Sequence, residues 1–493
     1  MHEDQLLPAE PGVREIAREL YRHARDLPLI SPHGHVDPAI LADDRPFPDP
    51  ARLIVVPDHY VTRMLASQGI APHELGVPTV DGSPTQTDGR TIWRLLAANW
   101  HLFRGTPSRL WTERVLADVF GVTVPLRVDT ADLVYDLLSE RLADPAFRPR
   151  ALFERFNLEV LATTESPLSD LTAHAKLEAD GWGGPGGRVI TTFRPDDVVD
   201  FDWPGWTDRI EQLGVTTFPQ FLERLRERRQ AFIAAGATSS DHGHPSAATL
   251  ALSPAHAAAL FNKALTGKAD SRDAERFRAH MLVEFARMSV EDGLVMQLHP
   301  GAVRNHNTTL FARHGRDVGG DIPSPTEYVR SLKPLLDAFG TDPRFRVVLY
   351  TLDETAFTRE LAPLAGGYPA VFLGAPWWFL DSPEGLRRFR ETVTETAGFA
   401  NTAGFVDDTR AFCSIPVRHD VARRVDAGFL ARLVAEHRLP IDEAADTIAD
   451  LAYHLPKRVY ARTVATRIAE PRTVATRTAE TRIAGSRIAE GAR

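Results

Sequence analysis

Short apolar, β-rich runs recur along the chain, and each breaks off into a polar stretch that carries reactive side chains. Residues 27–30 run into SPHGHVDP, 158–162 into TTESP, 189–193 into RPD, and 237–240 into DHGH. Residues 294–298 then run into HPGAVRNHN, 347–350 into TLDE, 371–373 into GAPWWF, and 403–406 into DDTRAF. Segments with apolar residues at helical spacing, such as 218–235, 272–292 and 383–397, separate most of these runs. Strands alternating with helices predict a parallel sheet, and eight such units predict an α/β fold of the (β/α)8 barrel type. Barrel enzymes build their sites where strands end, which is where the polar residues fall here. A doubly wound open sheet is the alternative, but no GxGxxG follows any of the runs.

Three stretches depart from the alternation. Residues 11–25, in the N-terminal 1–26, have Val13, Ile16, Ala17, Leu20 and Tyr21 at helical spacing, so a helix leads into the first strand. After a Pro- and Asp-rich loop ending near Pro57, residues 58–150 read as almost entirely helical, with Asp58 as an N-cap and Thr106-Pro107 as a second helix start. That is far longer than an ordinary βα connection, and it predicts a helical insertion over one face of a barrel spanning 27–460. Residues 462–493 repeat RTVATRIAEP-like units with a ten-residue period and are expected to form a solvated, disordered extension.

Composition narrows the classes. Of 493 residues, 43% are hydrophobic and 25% charged, as in an ordinary globular protein. A net charge of -9 argues against a nucleic-acid surface. Cys413 is the single cysteine, so no disulfide framework exists. With no apolar run long enough to span a bilayer and no signal-like N-terminus, the expectation is a cytoplasmic protein with no membrane partner.

The candidate chemistry begins at His33-Gly34-His35. Alternate side chains of an extended segment face one way, so both imidazoles can meet a borderline metal at the strand exit. Asp408, past the last run, can close that site, because a barrel makes its first and last strands neighbours. Capping of a following helix is the alternative reading for Asp407 and Asp408. Arg194 and Arg410 stand at two strand ends, where planar guanidinium groups would grip a carboxylate. An internal pair of Arg194 with Asp196 or Asp197 is its alternative. His59 could polarise a carbonyl and Tyr60 could move a proton. Trp377 and Trp378 could wall a pocket, and His299, Arg304, Asn305, Asp241 and His242 add polar groups.

The segments PHGHVDP, PDHY, ATTESP, TFRPD, SDHG, MQLHPGAVRNHN, GAPWWFLDS and DDTRAFCSIPVRHD, in this order over about 12–460, resemble the uronate (glucuronate) isomerases of the amidohydrolase superfamily. The resemblance implies a distorted (β/α)8 barrel with a helical insertion after strand one. It implies interconversion of D-glucuronate with D-fructuronate, and of D-galacturonate with D-tagaturonate. It also implies one divalent metal on His33, His35 and Asp408, zinc first, with manganese or cobalt as alternatives. Arg194, Arg410, His299 and Arg304 would hold a hexuronate, with His59, Tyr60, Trp377 and Trp378 at the reacting end and Asp408, Tyr60 and His59 as the catalytic groups. A homo-oligomer is compatible with the family. The chain departs from the pattern at ESP, at HPG and in its repeats. A metal-dependent hydrolase on the same barrel is the competing class, but the bridging lysine of binuclear members has no counterpart between Lys176 and Lys263.

Overall fold

The computed structural model describes residues 2–463. Nine strands run in chain order: β1 Leu29–Ser31, β2 Leu158–Glu165, β3 Val189–Phe193, β4 Ser239–His242, β5 Val295–Leu298, β6 Ala302–Val303, β7 Ile322–Pro323, β8 Val347–Leu349 and β9 Val371–Leu373. Seven of them form one parallel sheet in the order β1-β2-β3-β4-β5-β8-β9. The other two, β6 and β7, pair antiparallel as a small ribbon within the β5–β8 connection. Sequential neighbours with helical crossovers are the barrel arrangement the alternation predicts.

The eighth predicted run does not form a regular strand. Residues 403–406 join β9 through one parallel bridge, Leu373 to Thr402, with the Ala403 N–H donating to the Leu373 carbonyl at 2.8 Å. Pairing stops there because Gly404 takes φ 78°, outside the β region, and lies against Pro456 of the C-terminal helices. The ring closes instead through the His35 N–H, which donates to the Thr409 carbonyl at 3.1 Å. The barrel is thus distorted at its last unit. A second correction concerns β4, which is Ser239–His242 rather than 237–240, so Asp241 and His242 lie within the strand.

Between β1 and β2 the chain is helical, as predicted, but the insertion starts earlier than 58. The Pro/Asp stretch holds two short helices, Pro38–Asp43 and Pro50–Ile54. Each opens with an Asp-Pro step. Asp37 accepts from Ala39 N–H at 2.9 Å and Asp49 from Arg52 N–H at 2.9 Å, while the proline occupies the first helical turn, where no N–H partner is needed. Asp58 caps His59–Ala66 in the same way, and Thr106 caps Pro107–Arg114. Val61, Leu65, Trp93, Leu96, Phe103 and Trp111 of this region share one buried apolar cluster with Leu29, Leu158, Leu161 and Trp377. The insertion is therefore fastened to the β1 side of the barrel by apolar burial, the dominant favourable term in such packing.

A second cluster fills the space between the sheet and its helices on the other side, with Phe193, Met296, Leu298 and Leu349 against Phe221, Phe232, Phe277 and Phe285. The N-terminal helix, Pro11–Ala24, buries Ala17, Leu20 and Ala24 against Ala427, Leu430 and Ala431 of the helix Ile415–Ala435. Arg462 and Thr463 bond back to the Asp292 and Gly293 carbonyls. The rest of the repetitive 462–493 segment lies outside the described residues. Among the described residues no helix is long and apolar enough to cross a membrane.

Candidate active site

A cavity of about 790 Å³ opens at the carboxyl ends of the strands, beneath the helical insertion. His33, His35, His59, Tyr60, Arg194, His299, Arg304, Trp377, Trp378, Asp408 and Arg410 all line it, so the structure gathers these candidate residues into one chamber. Asn305 and Asp241 line it too, whereas His242 does not.

Its floor is the β1 exit. His33 Nε2 lies 3.4 Å, and His35 Nε2 3.3 Å, from Asp408 Oδ1. The backbone makes this possible in two ways. Thr164 of β2 donates to the Gly34 carbonyl at 2.9 Å, fixing the turn between the imidazoles. Asp408 adopts φ 39°, which swings its side chain into the cavity while Asp407 turns away to His419 Nε2 at 3.0 Å. Neither aspartate caps a helix; the next helical turn, Phe412–Ser414, is preceded by Ala411. Trp377 Nε1 donates to the other Asp408 oxygen at 2.5 Å. Burial opposes ionisation of Asp408, but His33 and His35 hold its carboxylate well below the usual range.

A second group abuts the first. His299 stacks on His33 with ring centroids 4.7 Å apart and on Tyr350 at 3.9 Å. Its Nδ1 stands 2.6 Å from Asp241 Oδ1, yet neither atom makes a hydrogen bond in that orientation. Asp408 Oδ1 is likewise buried without a hydrogen-bond partner. Imidazole nitrogens and carboxylate oxygens that crowd together without bonding one another are what a metal's ligands look like with their lone pairs aimed at a common point. His33, His35 and Asp408 therefore fit a divalent cation, and Asp241 and His299 stand beside it.

Arginines line the chamber as well. Arg194 is not free: its Nε donates to Asp196 at 3.0 Å and its Nη1 lies 3.2 Å from Asp241. Asp197, the other alternative partner, pairs with Arg209 instead. Arg304 pairs with Asp321 at 2.8 Å and rests over Trp378. Both guanidinium groups converge beside Gly243, where a Cβ would sit 2.4 Å from Arg194 Nη2 and 3.4 Å from Arg304 Nη2. Arg410 reaches Asp317 at 3.2 Å and keeps 40% of its side-chain surface exposed. Each of these guanidinium groups thus faces the chamber already paired with a carboxylate.

The roof comes from the insertion. His59 stacks on Tyr60 at 4.8 Å and meets Trp378 edge-on at 5.6 Å. Burial, helped by Arg410, pushes His59 down to about 3, so it is a neutral imidazole. Tyr60 donates its hydroxyl to Asp381 at 3.0 Å, and Arg418 holds the same carboxylate at 2.8 Å. Burial lifts Asp381 to about 6, and burial with Asp381 raises the Tyr60 phenol far above its ordinary value. Sequence reasoning missed Asp381 and Arg418, although WFLDS and PVRHD lie inside the motifs it used. It also missed Glu165, a cavity-lining carboxyl that burial pushes up to about 7, and Asp317, which no local pattern marks.

A sequence profile described as Glucuronate isomerase matches residues 3–460. This chain belongs to the glucuronate isomerase family. It is 58% identical to a uronate isomerase of Phenylobacterium zucineum over 466 residues, which is 93% of this chain and 96% of that one. Among solved structures, a glucuronate isomerase from Caulobacter crescentus superposes with a TM-score of 0.90 at 56% identity, covering 93% of this chain and 96% of its own. A uronate isomerase from Thermotoga maritima gives 0.86 at 29% identity, covering 93% and 99%. Both the barrel and the activity of the family, aldose–ketose isomerisation of uronates, follow for this chain. The glucuronate isomerase motifs quoted from the sequence are the segments that build the chamber.

Proposed function

We propose that this chain interconverts D-glucuronate with D-fructuronate, and D-galacturonate with D-tagaturonate, in the chamber above β1. The observation that carries the reading is the presence, within one cavity, of His33, His35 and Asp408 together with the guanidinium groups of Arg194 and Arg410. A sugar acid has a carboxylate at one end and a carbonyl at the other, and the chamber offers a matching group for each.

The isomerisation moves one carbon-bound proton from C2 to C1 and one hydroxyl proton from O2 to O1, through an enediol. Asp408, ionised and aimed into the cavity, is positioned to take the C2 proton and return it to C1. Tyr60 cannot readily serve as a base, since losing its proton beside Asp381 would bury a second negative charge. Its one hydroxyl proton goes to Asp381, so the phenol oxygen is left to accept from a sugar hydroxyl, with neutral His59 alongside it. Arg194 and Arg410 hold the substrate carboxylate away from Asp408, and Trp377 fixes the Asp408 rotamer by its N–H. A divalent cation on His33, His35 and Asp408, zinc first and manganese or cobalt as alternatives, would act as a Lewis acid on the carbonyl end. Bridged two-metal hydrolysis has little support, because β4 ends in Ser-Asp-His with no lysine to bridge two ions.

Two measurements test the proposal. Incubation with D-glucuronate should yield the ketose, while neutral aldoses should turn over poorly. Arg194→Lys should weaken hexuronate binding by ~1.5–3 kcal/mol, as for a hydrogen bond to a charged group, with KM rising accordingly. Equal turnover of glucose and glucuronate would overturn the assignment.

A further inference from the structure

The sequence HGH occurs twice, at His33–His35 and again at His242–His244. The second copy is unused by the isomerase reading. It sits at the exit of β4, and Asp196, just past β3, meets it. One nitrogen of each of these histidines and one oxygen of Asp196 lie within 4.8 Å of one another. All three residues are buried, at 0%, 2% and 5% exposure for His242, His244 and Asp196. His242 Nδ1 and His244 Nε2 have no hydrogen-bond partner, while His242 Nε2 is fixed by Ser240 at 3.0 Å. The Asp196 carboxylate is oriented by the Gly243 N–H at 3.0 Å and by Arg194, both on Oδ2, which leaves Oδ1 with only a long 3.3 Å contact to Gly243.

We propose that Asp196, His242 and His244 form a second divalent-metal site, distinct from the one on His33, His35 and Asp408. Two imidazoles and a carboxylate make the mixed N/O donor set that suits zinc or cobalt. Each histidine nitrogen left without a partner loses a hydrogen bond that it would have in water, a cost that metal coordination offsets. Asp196 and His244 face the cavity, so an ion has a route in. The ion's charge adds to that of Arg194, and Asp196 is the anion the two would share. Arg194 joins the two sites, touching Asp196 on one side and Asp241 on the other. Nothing in this assignment depends on which sugar the chamber takes.

Counting metal decides it. Untagged full-length protein is stripped with a chelator, dialysed to equilibrium against Zn²⁺, and assayed by elemental analysis, with Co²⁺ as a spectroscopic second probe. Two ions per chain are expected, falling to one in His242→Asn/His244→Asn and to one in His33→Ala/His35→Ala. Asp196→Asn, close to isosteric, gives the same reading should the double variant not fold: one ion lost supports the site. A single ion in the wild type, lost with His33 and His35 and unaffected by His242, His244 or Asp196, overturns it. In that case Arg194 and the Gly243 N–H satisfy Asp196. Loss of ketose formation with two ions still bound would count against the isomerase reading and leave this one standing.

Discussion

At the scale of single residues, the two adjacent aspartates make the sharpest contrast. Asp408 faces the cavity, while Asp407 is buried against His419 and its carbonyl accepts from Arg418 at 3.2 Å. Asp408→Asn keeps the shape and removes charge and basicity, so the rate should fall by the ~10²–10⁴-fold typical of a general acid–base group, with the melting temperature near normal. Asp407→Asn should do the reverse, lowering the melting temperature while leaving a measurable rate. Steady-state kinetics beside thermal melts separate the two; a dead Asp407 variant with a healthy Asp408 variant would refute the assignment. Glu165 supplies a pH test. Its folded value, about 7, lies above the ordinary 4.5, because burial disfavours the carboxylate. The folded state therefore binds the extra proton between those values, and stability falls as pH rises from about 4.5 through 7. Glu165→Gln removes that penalty, so the variant should gain on the wild type by up to about 3 kcal/mol between pH 5 and pH 8. Melts at both pH values check it, and a gap that does not widen toward pH 8 would show the group to be ionised throughout.

At the scale of elements, the strand-and-helix alternation and the cavity residues His33, His35 and Asp408 are legible because each rests on a local pattern: a period of two, a helical period, a strand end. What was illegible depends on neighbours remote in sequence. AGFV has the composition of a strand, but Gly404 must take a positive φ to pass Pro456, and nothing within residues 403–406 shows that. The apolar pattern places β4 two residues early, because a strand reading Ser-Ser-Asp-His makes sense only once Asp241 and His242 are known to face buried polar partners. Asp317 reached the chamber from a loop with no pattern to betray it. The irregular eighth unit gives a prediction of its own. A Cβ at Gly404 would lie 2.6 Å from Pro456 Cδ and would force a left-handed non-glycine residue, so Gly404→Ala should cost ~1–3 kcal/mol. Because this segment delivers Asp408, activity at moderate temperature should fall along with the melting point; an unchanged melt would show that the segment has slack.

At the scale of the whole molecule, the described chain ends where Arg462 and Thr463 bond to the Asp292 and Gly293 carbonyls. Ending the chain after Thr463 should leave melting temperature and turnover unchanged, since the repeats beyond it carry no strong apolar stripe. A loss of many degrees would show that they pack. The packing of Pro11–Ala24 on Ile415–Ala435, beside the His35–Thr409 closure, has a further consequence for how the protein comes into being. On the ribosome, the two histidines emerge long before their carboxylate partner. A partly made chain thus exposes a pair of imidazoles with no carboxylate neighbour and no mate for its first helix. Such distant pairings slow folding. Capture of the cation proposed on His33, His35 and Asp408 should therefore appear together with activity, only after the C-terminal helices have been released, and a chain cut short before Asp408 should show neither.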